Sequence, residues 1–433
     1  MPSTNTAGDP SPALAPEQAE HLSRLTGDIY PELYELYTRL HSKPELSGQE
    51  RETAARIASG LRSFGYRVTE GVAGHGVVGV LANGEGPTVM VRADLDALPM
   101  EEKTGLPYAS TAKGVLAGKG EVGVMHACGH DVHMAVLIGT ARILSLMKDN
   151  WTGTLVMVAQ PSEEVGAGAR AMIEDGLFSR FPRPDCALAL HVTPSLPAGR
   201  VGFREGLFWA GCASLELVIR GVGGHGSRPH ETKDPVVMAA ETILLLQTVV
   251  SRETDPAETA VLTIGAIHGG TKENIIPEEV VLQVNYRFFS EETGRRIRAA
   301  IERTARGVAH AAGVTEDRMP VIRELYSGLP IHNDQELTRR SVAAFRRILG
   351  KDSVTRMNRF TFSDDFSLFG AGNPKIPLCY FLLGTARGEN PAATGKPGDA
   401  PGLHNPEFSP EPEPTIKTGV KAMAAAVMEA LLA

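Results

Sequence analysis

The chain has 433 residues, with 43 basic and 51 acidic side chains, a net charge of −8, and 42% hydrophobic residues. That length fits two or three domains and a large core without disulfide staples, and the acidic balance argues against a nucleic-acid partner, which needs clustered Lys and Arg. The longest apolar runs, such as Ile243 to Leu246, fall far short of the ~20 residues that span a bilayer, so no membrane passage is expected.

From Met1 to about Gln18 the chain is rich in Pro, Ala, Ser and Thr and lacks the charged and apolar regions of a secretory leader, which predicts a flexible tail. Ile29, Leu33, Leu36, Tyr37 and Leu40 then recur at helical spacing up to Pro44, and a second helix is expected from about Glu50 to Phe64. Val77 to Leu81 and Thr88 to Val91 predict short strands, and Val132 to Met147, too long for a strand, predicts a buried helix. Thr154 to Ala159, Cys186 to Leu190 and, much later, Leu378 to Leu383 are continuous apolar runs that suit interior strands covered on both faces. Near Gly202 the pattern changes: Ala213, Leu215, Leu217 and Ile219 alternate with polar residues, as in a strand buried on one face. Asp234-Pro235 opens a helix to about Val250, and strands Ala260 to Ile267 and Val280 to Phe288, a helix from Glu291 and a strand near Val321 complete a βαββαβ unit.

The expected fold class is therefore α/β, with a mixed, mostly parallel sheet in residues 19–203 and 318–433, interrupted by an inserted α+β domain in residues 204–317. The only biased segment after the tail is the loop Gly388 to Pro401. Cys128, Cys186, Cys212 and Cys379 lie far apart and form no paired framework, which suits a reducing, cytoplasmic setting.

Chemistry concentrates at strand ends. Met125 to His133 packs three histidines, Cys128 and Asp131 into one turn before the long apolar helix, a donor set expensive to bury unless it binds something. The strand Thr154 to Ala159 runs into Glu163-Glu164, Cys186 to Leu190 ends at His191, and Thr88 to Val91 ends at Arg92-Ala93-Asp94-Leu95-Asp96. In open α/β sheets ligands gather outside the carboxyl ends of strands, so these groups point to one site. Mixed Cys, His and carboxylate donors suit zinc, manganese or cobalt rather than magnesium or calcium. Two such ions polarise a carbonyl and deliver hydroxide, and an extra Glu carries the proton to a leaving amine. A cysteine nucleophile paired with His130 is the other reading of this turn.

These residues resemble the amidohydrolase branch of metallopeptidase family 20, which includes aminoacylase-like enzymes, hippurate hydrolases and auxin-conjugate hydrolases. The resemblance runs from about Arg39 onward. It is carried, in order, by Leu40-His41-Ser42-Lys43-Pro44-Glu45-Leu46, Arg92 to Pro99, His126-Ala127-Cys128-Gly129-His130-Asp131, Gln160-Pro161-Ser162-Glu163-Glu164, Gly223-Gly224-His225, Asn274-Ile275-Ile276-Pro277 and Leu403-His404-Asn405-Pro406.

The resemblance implies a di-zinc-peptidase-like domain holding two divalent metal ions per subunit through Cys128, His130, Glu164, His191 and His404. It also implies Glu163 as general acid/base and Asp94 in support. An inserted lid would form a homodimer and carry His225 into the partner's active site, and Asn274 and Arg287 are expected near the substrate carboxylate. Alternation along the strand fits this role for Arg287, because Gln283, Asn285 and Arg287 share a face opposite Val280, Leu282, Val284, Tyr286 and Phe288 and Arg suits a carboxylate, the alternative being an exposed charge on an open sheet face. The sequence departs from the usual pattern at Gly226-Ser227-Arg228-Pro229-His230 and Ser363-Asp364-Asp365-Phe366-Ser367, which bears on substrate preference. The expected activity is hydrolysis of the amide bond of a small N-acyl amino acid. The alternatives are a dipeptidase or carboxypeptidase using the same metals, and a metal-holding binding protein without catalysis.

Overall fold

A computed structural model describes residues 14–372, 374–388 and 401–432. The chain divides into two compact units, one of residues 1–206, 333–358 and 368–433, the other of residues 207–332 and 359–367.

The first unit is built on an eight-stranded sheet in the order Arg67–Val72, Gly76–Asn83, Gly153–Gln160, Thr88–Asp94, Cys186–Pro197, Leu378–Ala386, Val201–Phe203, Val354–Arg356. The four central strands, Gly153–Gln160 to Leu378–Ala386, run parallel, and antiparallel neighbours flank them. Leu378–Ala386 is buried throughout and Gly153–Gln160 nearly so, as expected for strands covered on both faces. Gly76 and Gly79, an odd number of residues apart on one strand, point to opposite faces. A Cβ on Gly79 would meet Leu61 of the helix Arg51–Ser63, whereas one on Gly76 would meet Met172 of the helix Gly168–Glu174. These helices therefore cover opposite sides of the sheet. The helices Pro16–Ser42, His130–Leu146 and Pro412–Leu431 pack together, and the last two touch closely because each offers a glycine: a Cβ on Gly139 or Gly419 would stand 2.5 Å from a valine of the other.

The second unit carries a four-stranded antiparallel sheet, ordered Ala260–Gly269, Glu279–Phe288, Gly211–Arg220, Val321–Gly328. The helices Pro235–Thr248 and Glu291–Ala311 pack on it, the first capped by Asp234, whose side chain accepts the Val236 N–H at 2.8 Å. The expected βαββαβ order is present.

Two expectations need correction. Helix begins at Pro16, inside the predicted tail, because proline suits the first helical position and Gln18 reaches back to the Ala15 N–H at 3.0 Å; residues 1–13 lie outside the described residues, as does most of the Gly388 to Pro401 loop. The inserted unit runs past 317 to His332, since Val321–Gly328 is an edge strand of its sheet, and it takes back residues 359–367. The helical stretch Pro235–Glu253 is long and apolar enough, by length and composition alone, to cross a membrane. Here it buries Met238, Thr242 and Leu246 in the second unit's core and leaves Val237, Leu244 and Leu245 exposed.

Candidate metal centre

Register brings the predicted groups level. On adjacent parallel strands Asp94 pairs with Gln160, while Arg92 pairs with Ala189, so His191, two residues on, falls beside Asp94. The chain then leaves Gln160 through a tight turn in which Ser162 adopts φ +56°, a left-handed conformation that costs a non-glycine residue about 1–3 kcal/mol. Two carboxylates hold that turn: Glu50 accepts the Ser162 N–H at 2.8 Å, and Asp96 accepts the Glu164 N–H at 3.0 Å. Neither role was legible in the sequence, where Glu50 reads only as the start of a helix.

The helix His130–Leu146 starts from Gly129 at φ +77°, where a Cβ would lie 2.4 Å from Val192. His130 Nδ1 donates to the Asp96 carbonyl at 2.8 Å, which turns Nε2 toward Glu164 Oε1 at 3.7 Å, Asp94 Oδ2 at 3.7 Å and Glu163 Oε2 at 3.9 Å. His191 Nδ1 donates to the Val192 carbonyl at 2.8 Å, and its Nε2 lies 3.4 Å from Cys128 Sγ. His404, also left-handed at φ +58°, is fixed by its N–H to the Ala127 carbonyl at 2.9 Å. Its Nε2 stands 3.3 Å from Cys128 Sγ and 3.5 Å from Glu164 Oε2. The sequence-predicted residues Cys128, His130, Glu164, His191 and His404 thus converge, with Cys128 common to two donor groups, and Glu163 stands beside them.

Donor atoms about 2.1 Å from a tetrahedral ion lie roughly 3.4 Å apart, which is the spacing found here. Among the described residues, His130 Nε2 and Glu164 Oε1 are buried without a hydrogen-bond partner, a state costly for polar atoms unless something else binds them. The donor set therefore fits metal.

His133 also lies close, grouped with Asp94 and His130. Its Nδ1 donates to Asp94 at 2.6 Å and its Nε2 accepts the Val192 N–H at 3.0 Å, so neither nitrogen is left to bind an ion. Asp94 also accepts from Arg92 at 2.7 Å, which suits its expected supporting place.

Electrostatics separates the donors. Burial, and next the nearby Glu164 and Glu163, push the Cys128 thiol well above its usual range. A free thiolate nucleophile is thereby disfavoured, which counts against the cysteine-hydrolase reading. Burial raises Glu164 to about 7, although His130 opposes this. Burial pulls His130 down, but Asp94 and Asp96 outweigh it and hold the imidazole at about 10. Burial keeps His191 and His404 low, hence neutral with a lone pair available. For Asp94, burial raises the carboxyl, and His130, His133 and Arg92 together bring it well below the usual range.

In the second unit, His225 is exposed in a two-residue ladder with Ile275–Ile276, and Asn274 accepts the Gly226 N–H at 2.8 Å, so these two predicted residues are neighbours. His225 Nδ1 accepts the Ser227 N–H at 3.1 Å, which leaves Nε2 to carry the proton. Arg287 donates through Nε to Asn285 at 3.0 Å and through Nη1 to Ser363 at 2.8 Å. It does not join Asn274. Arg287 is level with Cys212, whereas Glu279, eight residues away, is level with Arg220 at the His225 end; at 3.3 Å per residue that is about 26 Å along the strand.

A parallel sheet whose carboxyl ends collect such donors defines a metallohydrolase. Residues 90–429 match peptidase family M20/M25/M40, and the chain belongs to that family as a metal-dependent amidohydrolase, as its motifs implied. It is 34% identical to an N-acetyldiaminopimelate deacetylase of Lactobacillus helveticus, over 90% of this chain and 96% of that protein. It is 33% identical to the IAA-amino acid hydrolase ILR1-like 2 of Arabidopsis thaliana, over 86% and 82%. Among solved structures, a dinuclear metal-binding peptidase of the M20 family from Bacillus subtilis superimposes with a TM-score of 0.73 at 27% identity, covering 94% of this chain and 99% of that one.

Proposed function

We propose that the chain hydrolyses N-acyl amino acids to a carboxylate and an amino acid, using two divalent ions held by Cys128, His130, Glu164, His191 and His404. The observation that carries this reading is the convergence of five donors, two of which, His130 and Glu164, each hold a buried atom without a hydrogen-bond partner. Zinc, manganese and cobalt suit the mixed donor set. Such ions supply Lewis acidity toward an amide carbonyl and toward water.

The chain's own residues move the proton. Glu163 takes it from the attacking water and returns it to the amide nitrogen as the C–N bond breaks, so that OH ends on the acyl carbon and H on the amine. His225, with its proton on Nε2, is suited to donate to the oxyanion that forms, and Arg287, held by Asn285 and Ser363, to bind the substrate carboxylate.

About 26 Å of strand separates Arg287 from Glu279, which is level with Arg220 where the chain leaves the sheet toward His225, so we infer that His225 and Asn274 reach the substrate held by Arg287 from a second copy. A homodimer through the inserted unit supplies them. Its support is the strand Ala260–Gly269, paired on one side only, beside a helix exposing Val237, Leu244 and Leu245; an open edge and an apolar face invite a two-fold partner. Four buried free cysteines fit the cytoplasm as its setting.

The test is release of free amino acid from acetyl- and benzoyl-amino acids against dipeptides, with chelated protein reloaded with manganese, zinc or cobalt. Faster cleavage of acyl-amino acids supports the proposal. Faster cleavage of dipeptides establishes the peptidase alternative, and ion binding without turnover of any substrate leaves a metal-holding protein.

A further inference from the structure

His41, at the end of the helix Pro16–Ser42, is buried and lies outside the donor cluster. Its Nδ1 donates to Asp131 at 2.7 Å and its Nε2 to Glu102 at 3.0 Å. Ionised carboxylates only accept, so both ring nitrogens carry a proton and the ring is an imidazolium. Burial pulls its pKa down, but the bonds to Asp131 and Glu102 outweigh that and hold it at about 9. Tyr37 and Tyr108 box the ring at 5.7 and 5.3 Å.

Each arm of this clamp leads to a metal-ligand candidate. Asp131 adjoins His130 and also accepts the Val132 N–H at 2.9 Å, which fixes the first turn of the helix that presents His130. Glu102 gathers Thr104 and the Ser110 N–H, and the neighbouring Lys103 N–H donates to the Pro406 carbonyl at 2.8 Å, two residues beyond His404. A buried cation between two carboxylates is a weak source of stability compared with apolar packing. What it does supply is direction, two charge-assisted bonds from one rigid ring.

We propose that His41 is a positioning residue of the metal centre: its imidazolium ties the helix turn that carries His130 to the segment that carries His404 and sets their spacing. The inference rests on the metal-centre reading above and extends it to a residue that touches neither ion nor substrate. Outer-shell partners of this kind typically change metal affinity ten- to a hundredfold when replaced.

Two variants separate the arms. In His41→Asn the amide nitrogen replaces Nδ1 and keeps Asp131, and in His41→Gln it replaces Nε2 and keeps Glu102. Tyr66→Phe is the control, since it removes a buried bond to the Ala141 carbonyl and touches no part of the clamp. The readouts are the dissociation constant of each ion by competition with a chromophoric chelator, the visible spectrum of the cobalt-loaded protein, and the thermal midpoint. Expected are at least a tenfold weakening of one ion and a shifted cobalt spectrum in both His41 variants, and neither change in Tyr66→Phe. Ion affinities within twofold of the parent and an unchanged cobalt spectrum, whatever the midpoint does, would overturn the proposal. Should both His41 variants fail to fold, Glu102→Gln is judged by the same criteria. Parent protein that binds two ions yet cleaves no amide removes the proposed function and leaves the clamp standing; parent protein that binds none removes both.

Discussion

Loading the centre with metal should expel protons, and the number follows from the donors. A ligand atom must be deprotonated before it binds. At pH 7 Cys128, raised by burial and the carboxylates, holds one proton, and His130, held at about 10, holds another. Glu164, raised to about 7, is half protonated, while His191 and His404, kept low by burial, contribute nothing. The total is about two and a half protons per centre, so affinity should climb more than a hundredfold per pH unit near neutrality. Below pH 7 the release should approach three, and above it should approach two, as Glu164 titrates. The assay is calorimetric titration of chelated protein with zinc in buffers of different ionisation enthalpy, since the slope of apparent heat against that enthalpy counts protons. Release below one proton at pH 7 would refute the assignment of Cys128 and His130 as displaced donors. In Cys128→Ser the count should fall by about one.

Glu163→Gln removes a proton carrier and no ligand, so kcat should fall about 10²–10⁴-fold while two ions per chain still bind by elemental analysis; half-retained turnover would exclude the role. If His225 acts across a dimer, mixing inactive Glu163→Gln with inactive His225→Ala under confirmed subunit exchange should restore activity, and a monomer by sedimentation would end the idea. His41 has a folded pKa of about 9 against an unfolded value near 6.5. Its contribution to stability is therefore complete below about pH 6.5 and lost as pH rises through 9. The loss is roughly 3 kcal/mol, from 1.36 kcal/mol per pKa unit, and denaturant unfolding of metal-free protein at pH 6 and 10 should show it in the parent and much less of it in His41→Gln.

Much of this architecture was legible because it rests on local pattern. The apolar runs at Thr154 to Ala159 and Leu378 to Leu383 have no polar alternation to satisfy on either face, and both became interior strands. Asp234 before Pro235 announced its helix, because a cap and a proline act within a few residues of themselves. The five ligand candidates were legible in part for a related reason. Cys128 and His130 stand at the start of a helix and Glu164 just past a strand, at ends that parallel strands place along one edge, whereas His191 lies inside the strand Cys186–Pro197 and His404 was implied by the family motif alone.

What stayed hidden depends on pairs far apart in the chain. Glu50 meets Ser162 across 112 positions, and His41 meets Asp131 across 90, distances at which no spacing rule links two polar side chains. Backbone strain is hidden as well. Glycine is the residue that advertises a left-handed turn, yet Ser162, next to Glu163 and Glu164, and His404, itself a ligand candidate, adopt one. Each strained residue is bonded to a rigid element, Ser162 to Glu50 and His404 to Ala127. A relaxed backbone at either position would turn Glu163 and Glu164, or the His404 imidazole, away from Cys128. The strain and the long-range bonds are therefore two halves of one arrangement: the distant carboxylates and carbonyls hold in place turns that the local sequence does not favour.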